Sequence, residues 1–383
     1  MLLIKNINVY LENKVIAGDV LIKNGIIQEI AASIPCEPDT IINGTGLNLI
    51  PGFIDTHIHG ANGADVMDAT PEALDKMASY LVTEGTTSFL ATTITQAHPQ
   101  IEAALCNVAT YQQKEGTAQL LGVHLEGPFV EKSKAGAQPE QYICQPDLLL
   151  FKHWQALADN KIKTITIAPE HDHDGSFIQA LREQGVNVSA GHTNAGFSEL
   201  KRAVDRGVNQ LTHLCNAMNG IHHRDIGAVG AAFLSESLKA EIIADGIHVD
   251  PSMLELIYKN IGSERLILIT DAMRAKGLPS GNYELGGQPV FVSQDRAVLE
   301  DGTLAGSILN MIDGAKQLLN IPDVKLEDII KMAAINPAKQ LGIFKQKGSI
   351  KVGKDADLLI VDDALTLNTT IAQGKIVFQG GAS

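Results

Sequence analysis

The sequence lacks features that would assign it to a membrane or a secreted class. No apolar run is long enough to cross a bilayer, and the first residues lack the apolar core and cleavage site of a secretory signal. The four cysteines, Cys36, Cys106, Cys144 and Cys215, show no paired spacing, which is typical of free thiols in a reducing compartment. We therefore expect a cytoplasmic protein with no membrane partner.

Positive charge is also scarce. The 383 residues include 30 Lys and Arg against 44 Asp and Glu, which gives a formal net charge of −14, and the cations form no cluster. Because phosphate backbones are bound by clustered Lys and Arg, we expect no nucleic-acid partner. A small anionic molecule stays compatible with this charge, since a few local donors are enough to bind it.

The composition is that of an ordinary globular protein. Hydrophobic residues make up 45% of the chain and charged residues 19%. The length exceeds the size at which one hydrophobic core usually stops growing. We therefore expect one large domain and one smaller domain.

Both ends of the chain are predicted to form short β-strands. Asn24 and Gly25 separate two apolar runs, and Asn-Gly is a strong hairpin signal because both turn positions need positive φ. Three further strand-like runs lie between residues 348 and 378. Neither end alone has enough strands for a stable sheet. We therefore predict that residues 1–50 and 345–383 pair into one small β-sandwich domain, into which a catalytic domain of residues 51–344 is inserted.

The middle of the chain alternates strand and helix patterns. Helical segments are predicted at 71–84, with Thr70 as N-cap and Gly85 at the end, and at 197–206. Eight buried strands are predicted at 53–58, 86–94, 120–125, 162–168, 186–190, 210–214, 240–243 and 266–270. Eight such units favour a closed, TIM-like (β/α)₈ barrel, with an open doubly wound sheet as the alternative.

Candidate metal ligands follow most of these predicted strands. His57 and His59 lie on one face of the first strand, because successive side chains of a strand point opposite ways. The other strands are followed by Glu126, His192, His213, the segment Asp245 to His248, and Asp271. Carboxyl ends of barrel strands share one rim, and such ligands suit one or two Zn²⁺, Fe²⁺, Mn²⁺ or Co²⁺ ions. For His57 and His59 alone, a pair of satisfied core histidines is the alternative.

These residues resemble the ligand set of the amidohydrolase superfamily of metal-dependent hydrolases. Longer runs, such as HLEGPF at 124–129, THLCNAM at 212–218 and ADGIH at 244–248, resemble more narrowly its deacetylases of amino-sugar phosphates. The resemblance extends over essentially the whole chain and includes a split β domain. It implies that Glu126, His192 and His213 hold a catalytic metal, with Asp271 as acid/base.

The resemblance also implies a second ion and a set of substrate contacts. His57 and His59 would hold the second ion, with Glu126 bridging in place of the carboxylated lysine of other relatives. Gln138, where some members carry histidine, would orient the acetyl carbonyl. Arg224 would bind phosphate, either in its own chain or across a homodimer. The implied substrate-binding positions are Ala137, Gln138, Asn216, Ala217, Arg224, Asp245, Gly246, Ile247, His248, Leu304, Ala305 and Gly306.

The implied reaction is hydrolysis of N-acetyl-D-glucosamine 6-phosphate to D-glucosamine 6-phosphate and acetate, in amino-sugar catabolism and cell-wall recycling. The galactosamine epimer is the nearest rival substrate. A cyclic-amide hydrolase of the dihydroorotase or dihydropyrimidinase kind is disfavoured by the Glu-Gly-Pro run and the absent bridging lysine. A non-catalytic binding protein of the same fold is disfavoured because every expected ligand is present.

Overall fold

The eight predicted barrel strands are all present in the computed structural model, which describes residues 1–380. Each strand pairs in parallel with the next one along the chain. In chain order they are Phe53–Ile58, Thr86–Thr92, Gln119–Glu126, Ile162–Ile167, Asn187–Ala190, Gln210–Leu211, Lys239–Ile243 and Leu266–Ile269.

The first and the eighth strand also meet, which closes the barrel. Ile58 forms a parallel bridge with Ala272, just beyond the eighth strand. The backbone N–H of Asp271 donates to the carbonyl of His57 at 2.8 Å, and that of His59 donates to Ala272 at 2.9 Å. The closed barrel is therefore confirmed, and the alternative of an open sheet is wrong.

A helix follows each barrel strand. The first begins as predicted, with the Thr70 hydroxyl accepting from the N–H of Ala73, and its last turn ends at Gly85, whose φ is 86°. The apolar faces of the eight helices pack against the barrel strands in one large core. The helices are Pro71–Leu81, His98–Thr110, Leu148–Leu157, Ser176–Glu183, Phe197–Arg206, Gly227–Leu234, Pro251–Ile261 and Met311–Leu319, followed by Leu326–Ile330 and Asn336–Gln340 with the π-helical Lys331–Ile335 between them. Short 3₁₀ turns lie at Val66–Asp68, Val82–Glu84, Lys132–Lys134, Glu140–Tyr142 and Pro169–His171.

The two ends of the chain form one β domain, as predicted. Asn48–Pro51 joins them, because it pairs with Leu2–Tyr10 on one side and with Leu358–Val361 on the other. The Asn24-Gly25 turn links its second and third strands, and φ is 53° and 80° at the two positions. Strands from both ends share one core, separate from that of the barrel. The remaining strands are Val15–Lys23, Ile26–Ala31, Thr40–Asn43, Leu367–Ala372 and Lys375–Gln379. The exact domain boundaries at residues 50 and 344 stay a prediction.

A small three-stranded sheet that the sequence did not predict follows the eighth barrel strand. Gly281–Leu285 pairs antiparallel with Gln288–Val292, which pairs with Ala297–Val298. Its apolar side packs with Ile94 and Met273, which follow the second and eighth barrel strands. This sheet therefore covers part of the rim at the carboxyl ends of the strands. A two-stranded pair, Gly60–Ala61 with Ala64–Asp65, lies after the first strand.

The cysteines and the length of the helices bear on two expectations from the sequence, within residues 1–380. All four cysteines are free thiols, as their spacing predicted. Within the same residues, none of the helices combines the length and the apolar character that a membrane crossing requires.

Candidate active site

Five predicted ligands and Asp271 converge at the carboxyl ends of the barrel strands. Glu126 lies at their centre, with a side chain that is 2% exposed. Its Oε1 atom lies 3.3 Å from Nε2 of His192 and 3.2 Å from Nε2 of His213. The two imidazole nitrogens are themselves 3.1 Å apart. Glu126, His192 and His213 thus place three potential ligand atoms around one point.

The second group consists of His57, His59 and Asp271. Oδ1 of Asp271 lies 3.4 Å from Nε2 of His57 and 3.2 Å from Nε2 of His59. Oε2 of Glu126 lies 3.2 Å from the same His59 nitrogen, while Oε1 lies 3.4 Å from Nε2 of His57. Glu126 therefore faces both groups, the position that a bridging carboxylate requires.

Unusual backbone conformations aim three of these side chains into the site. His192, His213 and Asp271 each follow the end of a barrel strand, and their φ angles are 46°, 30° and 48°. Residues other than glycine rarely adopt positive φ, and such strain persists only where surrounding contacts enforce it. The three residues thus leave their strands through sharp, strained turns, a pattern that is concentrated at functional sites.

A glycine after Glu126 allows an equally sharp turn. Gly127 has a φ of 73°, and a Cβ atom at this position would lie 2.0 Å from Oγ1 of Thr95. Thr95 in turn donates its backbone N–H to Gln138 Oε1 at 2.8 Å, and Gln138 Nε2 donates to Glu126 Oε2 at 2.8 Å. Close packing of this loop therefore fixes the central carboxylate.

The donor atoms suit a divalent cation. Nδ1 of His192 donates to the carbonyl of Lys134 at 2.8 Å, so in the neutral ring Nε2 carries a lone pair that faces His213 and Glu126. Nε2 of His57 is buried within 3.4 Å of two carboxylate oxygens but makes no hydrogen bond. Converging lone pairs repel one another unless a proton or a cation lies between them. The residues present therefore fit one or two metal ions.

The pKa values that the side chains alone produce show the same requirement for positive charge. Burial lowers the pKa of His59, but Asp271 and Glu126 outweigh it and raise this pKa to about 9. Burial raises the pKa of Asp271, but His57 and His59 outweigh it and hold this pKa at about 2. Within residues 1–380, no Lys or Arg is paired with Glu126 or Asp271. The site therefore requires positive charge, which bound metal ions or protons on the histidines can supply.

A cavity of about 330 Å³ opens above these groups, a volume in the range of small-molecule sites. His59, Glu126, His192, His213 and Asp271 form its floor, and His57 is buried below. Seven of the predicted substrate-binding residues line it, namely Ala137, Gln138, Asn216, Ala217, His248, Leu304 and Gly306.

The other predicted substrate residues do not line this cavity. Asp245 lies behind His248, accepting a hydrogen bond from its Nδ1 at 2.6 Å, while Gly246 and Ile247 form the turn between them. Ala305 is fully buried. Arg224 is exposed on a separate loop, where its guanidinium contacts His223 and lines a different cavity with residues 196–199. The structure of one chain therefore does not bring Arg224 to its own site.

Sequence reasoning missed several residues of the site. Lys134, Thr303 and Leu285 also line the cavity, and Leu285 belongs to the unpredicted three-stranded sheet. Glu241, in the seventh strand, is 0% exposed and hydrogen-bonds to His57. The signal for Glu241 was a single acidic residue within the otherwise apolar strand 240–243.

His124, which lies two residues before Glu126, packs beneath the site. Its Nε2 lies 2.7 Å from Oγ1 of Thr166 and its Nδ1 lies 3.2 Å from the carbonyl of Thr56. Burial lowers its pKa well below the usual value, as does neighbouring His57. With both nitrogens engaged, His124 is placed as a neutral hydrogen-bonding residue.

The barrel, the rim site and the histidine and carboxylate set together define a metal-dependent hydrolase. The model of the amidohydrolase family matches residues 48–377, most of the chain. This chain therefore belongs to the amidohydrolase family.

Its similarity to particular members extends over nearly the whole length. It is 47% identical over 384 aligned residues to an N-acetylglucosamine-6-phosphate deacetylase of Bacillus subtilis (strain 168), covering 98% of this chain and 97% of that one. It is 35% identical to an N-acetylgalactosamine-6-phosphate deacetylase of Escherichia coli O157:H7, covering 91% and 92%. A solved structure of the Mycobacterium smegmatis deacetylase, in complex with N-acetyl-D-glucosamine-6-phosphate, is 27% identical and covers 99% of both chains with a TM-score of 0.92.

Proposed function

We propose that this protein hydrolyses N-acetyl-D-glucosamine 6-phosphate to D-glucosamine 6-phosphate and acetate. The observation that carries the proposal is the position of Asp271 beside Glu126 and the histidines on the floor of the cavity. Identity of 47% to a glucosamine-type deacetylase, against 35% to a galactosamine-type one, favours the gluco substrate. The galactosamine epimer stays the second candidate.

Glu126, His192 and His213 would hold one divalent ion, and His57 and His59, with Glu126 shared, would hold a second. When bound, such an ion acts as a Lewis acid on the acetyl carbonyl and promotes ionisation of water at neutral pH. Imidazole and carboxylate ligands accept Zn²⁺, Fe²⁺, Mn²⁺ or Co²⁺. Geometry and charge at this site support a metal of that group without selecting among them.

Asp271 is the proposed acid/base. Its carboxylate lines the cavity, and an ionised carboxylate at this position can accept a proton from the attacking water. As the C–O bond forms and the C–N bond breaks, Asp271 would deliver this proton to the departing amine nitrogen. Acetate and the free amine then leave with no change of redox state.

Gln138 has a proposed role on the acetyl side of the cavity. One amide N–H of Gln138 donates to Glu126, which leaves the second N–H of the same group available to the substrate carbonyl. The bond from Thr95 fixes which end of the amide is the donor end. Gln138 is therefore suited both to orient the acetyl group and to hold the central carboxylate.

The phosphate end of the substrate requires donors away from the carboxylates. His248 lines the cavity with Asn216 and Ala217, and its Nδ1 bond to Asp245 fixes the ring. Lys134, which also lines the cavity, would add a cation from the same chain. We assign Arg224 to the phosphate of a second subunit's substrate, since it lies on an exposed loop outside its own cavity. This assignment requires a homodimer, which we propose together with a cytoplasmic location.

The test is acetate release by metal-replete protein from three substrates. These are N-acetylglucosamine 6-phosphate, its galactosamine epimer and unphosphorylated N-acetylglucosamine. We expect the highest kcat/KM for the first. A higher value for the epimer would replace the proposed substrate, and no acetate from any of them would contradict the deacetylase proposal.

A further inference from the structure

Glu241 is a fully buried carboxylate that the proposed chemistry does not use directly. It lies in the seventh barrel strand, Lys239–Ile243, between apolar neighbours, and its side chain is 0% exposed. Burying a charge is costly unless it is paired and hydrogen-bonded. Among residues 1–380, its ion-pair partner is His57, and no Lys or Arg is paired with it. Such a group needs a compensating charge nearby.

Both oxygens of Glu241 have partners. Oε2 accepts a hydrogen bond from Nδ1 of His57 at 3.0 Å, and Oε1 accepts one from Nε2 of Gln210 at 2.7 Å. The backbone N–H of His213 also points to Oε2, at 3.4 Å. Glu241 thus contacts His57, from the group that includes His59 and Asp271, and His213, from the group that includes Glu126 and His192.

The bond to His57 determines what its other nitrogen does. With the proton held on Nδ1, Nε2 of the neutral ring presents a lone pair toward Glu126 and Asp271, each at 3.4 Å. Two carboxylates and a lone pair at these distances repel one another unless a cation lies between them. A carboxylate behind a ligating histidine also raises the basicity of the ring and fixes its orientation.

We propose that Glu241 is a positioning residue that orients His57 so that the His57 and His59 side of the centre holds a second divalent ion. This inference rests on the proposed function, because it assumes that the first ion is held by Glu126, His192 and His213. The cation that offsets the buried charge of Glu241 is then the ion on the far side of the His57 ring.

A direct role for Glu241 as a metal ligand is the rival interpretation. Glu241, His57 and His124 also place ligand atoms within 4.8 Å of one another. However, His57 Nδ1 is already hydrogen-bonded to Glu241, and both nitrogens of His124 are engaged by Thr166 and by the carbonyl of Thr56. A metal there would have to displace all of these bonds. The geometry therefore favours the positioning role.

The test compares wild type with Glu241→Gln and with His124→Gln as a matched control. His124 lies in the same buried layer, with its ring centroid 4.5 Å from that of His57, but its hydrogen bonds go to Thr56 and Thr166 and not to His57. Each metal-free protein is titrated with Co²⁺, and bound metal is counted by elemental analysis while the visible spectrum reports the coordination.

We expect wild type and His124→Gln to bind two ions per chain. Glu241→Gln should bind the first ion normally and the second about 10–100-fold more weakly, as is typical when such a partner is lost. Excess Co²⁺ should restore both the second ion and its spectrum, which a general loss of structure would not allow. Glu241→Asp keeps the charge but withdraws it from His57, so it should also weaken binding of the second ion. This variant replaces Glu241→Gln in the test if Glu241→Gln does not fold.

Three results would overturn this inference. Glu241 variants that bind both ions with wild-type affinity would remove Glu241 from the positioning role. Equal loss of the second ion in His124→Gln would instead make Glu241 and His124 direct ligands. Wild-type protein that deacetylates its substrate with a single ion would end the inference while leaving the proposed function intact.

Discussion

Nε2 of His192 lies 3.1 Å from Nε2 of His213, and both atoms lie within 3.3 Å of the same oxygen of Glu126. The sequence separates these residues by up to 87 positions, yet the barrel brings them to one point. Two ring nitrogens and a carboxylate oxygen at these distances form a ready set of three ligands. Several properties of the protein should depend on this arrangement.

Loss of one histidine from this set should remove an ion. Replacement of His213 by Asn withdraws one of three ligand atoms, so we expect the ion bound by Glu126 and His192 to be lost on dialysis against metal-free buffer. Elemental analysis measures this directly. His153→Asn, at a histidine whose side chain is 56% exposed on a surface helix, is the control and should keep wild-type metal content. Wild-type metal content in His213→Asn would show that His213 is not a metal ligand.

Removal of Arg224 should weaken recognition of phosphate. Arg224→Ala should raise KM for N-acetylglucosamine 6-phosphate far more than for unphosphorylated N-acetylglucosamine, because a bidentate charged contact is lost. Steady-state kinetics on both substrates provide the comparison. An equal increase in KM for the two substrates would exclude Arg224 from the phosphate site.

Complementation tests whether Arg224 acts across a dimer. Arg224→Ala and Asp271→Asn subunits, each poorly active alone, should recover activity when refolded together. In the mixed dimer, one site combines an intact Asp271 with the Arg224 of the other chain. No recovery in mixtures that form mixed dimers would place Arg224 in its own site or outside the mechanism.

Lys134 should also contribute to phosphate binding, but from within its own chain. It lines the cavity, whereas Lys132, two residues earlier, is exposed outside it. Lys134→Ala is therefore expected to raise KM for the phosphorylated substrate about 10-fold, a typical loss for one charge-assisted hydrogen bond of roughly 1.5 kcal/mol. Lys132→Ala should leave KM unchanged. The same KM for both variants would show that Lys134 does not contact phosphate.

The stability of the metal-free protein should fall as the pH rises. The pKa of His59 is raised to about 9 in the folded, metal-free state, against 6.5 for an ordinary histidine. A raised histidine pKa contributes stability that is fully present below 6.5 and lost as the pH rises to about 9. Denaturant unfolding of metal-free protein across this window should show the decline.

Metal binding should show the complementary dependence on pH. Each ion must displace the protons that these histidines carry, so apparent affinity should increase up to about pH 9 and binding should release protons. Calorimetry in buffers of different ionisation enthalpy measures that release. Binding without proton release, or metal-free protein that gains stability over the same window, would contradict the charge balance assigned to the site.

Much of the fold was predictable because the local sequence patterns of strands and turns match the elements that the barrel and the β domain contain. Strand-like runs at regular intervals gave all eight barrel strands, and Asn24-Gly25 gave the hairpin turn because few other residue pairs accept its backbone angles. The three-stranded sheet beginning at Gly281 was missed. It is an insertion into a loop, and the periodicity of the barrel does not require it.

The site was predictable to the extent that it depends on strand ends. The positions of His57, Glu126, His213 and Asp271 follow from the rule that carboxyl ends of barrel strands share one rim. Loop contacts do not follow from that rule, so the sequence left open whether Arg224 acts in its own site or across a dimer, and the inclusion of Lys134 was not foreseen. Glu241 was missed because a strand position alone does not reveal which way its side chain points.

The most direct test of the account is a comparison of Asp271→Asn with wild type in one preparation series. Metal content is measured by elemental analysis and acetate release by a coupled assay on N-acetylglucosamine 6-phosphate. The account predicts that the variant keeps its ion at Glu126, His192 and His213 while kcat falls about 10²–10⁴-fold, the usual contribution of general acid/base catalysis. Near-normal turnover by a metal-loaded variant would contradict the proposed role of Asp271 and with it the mechanism.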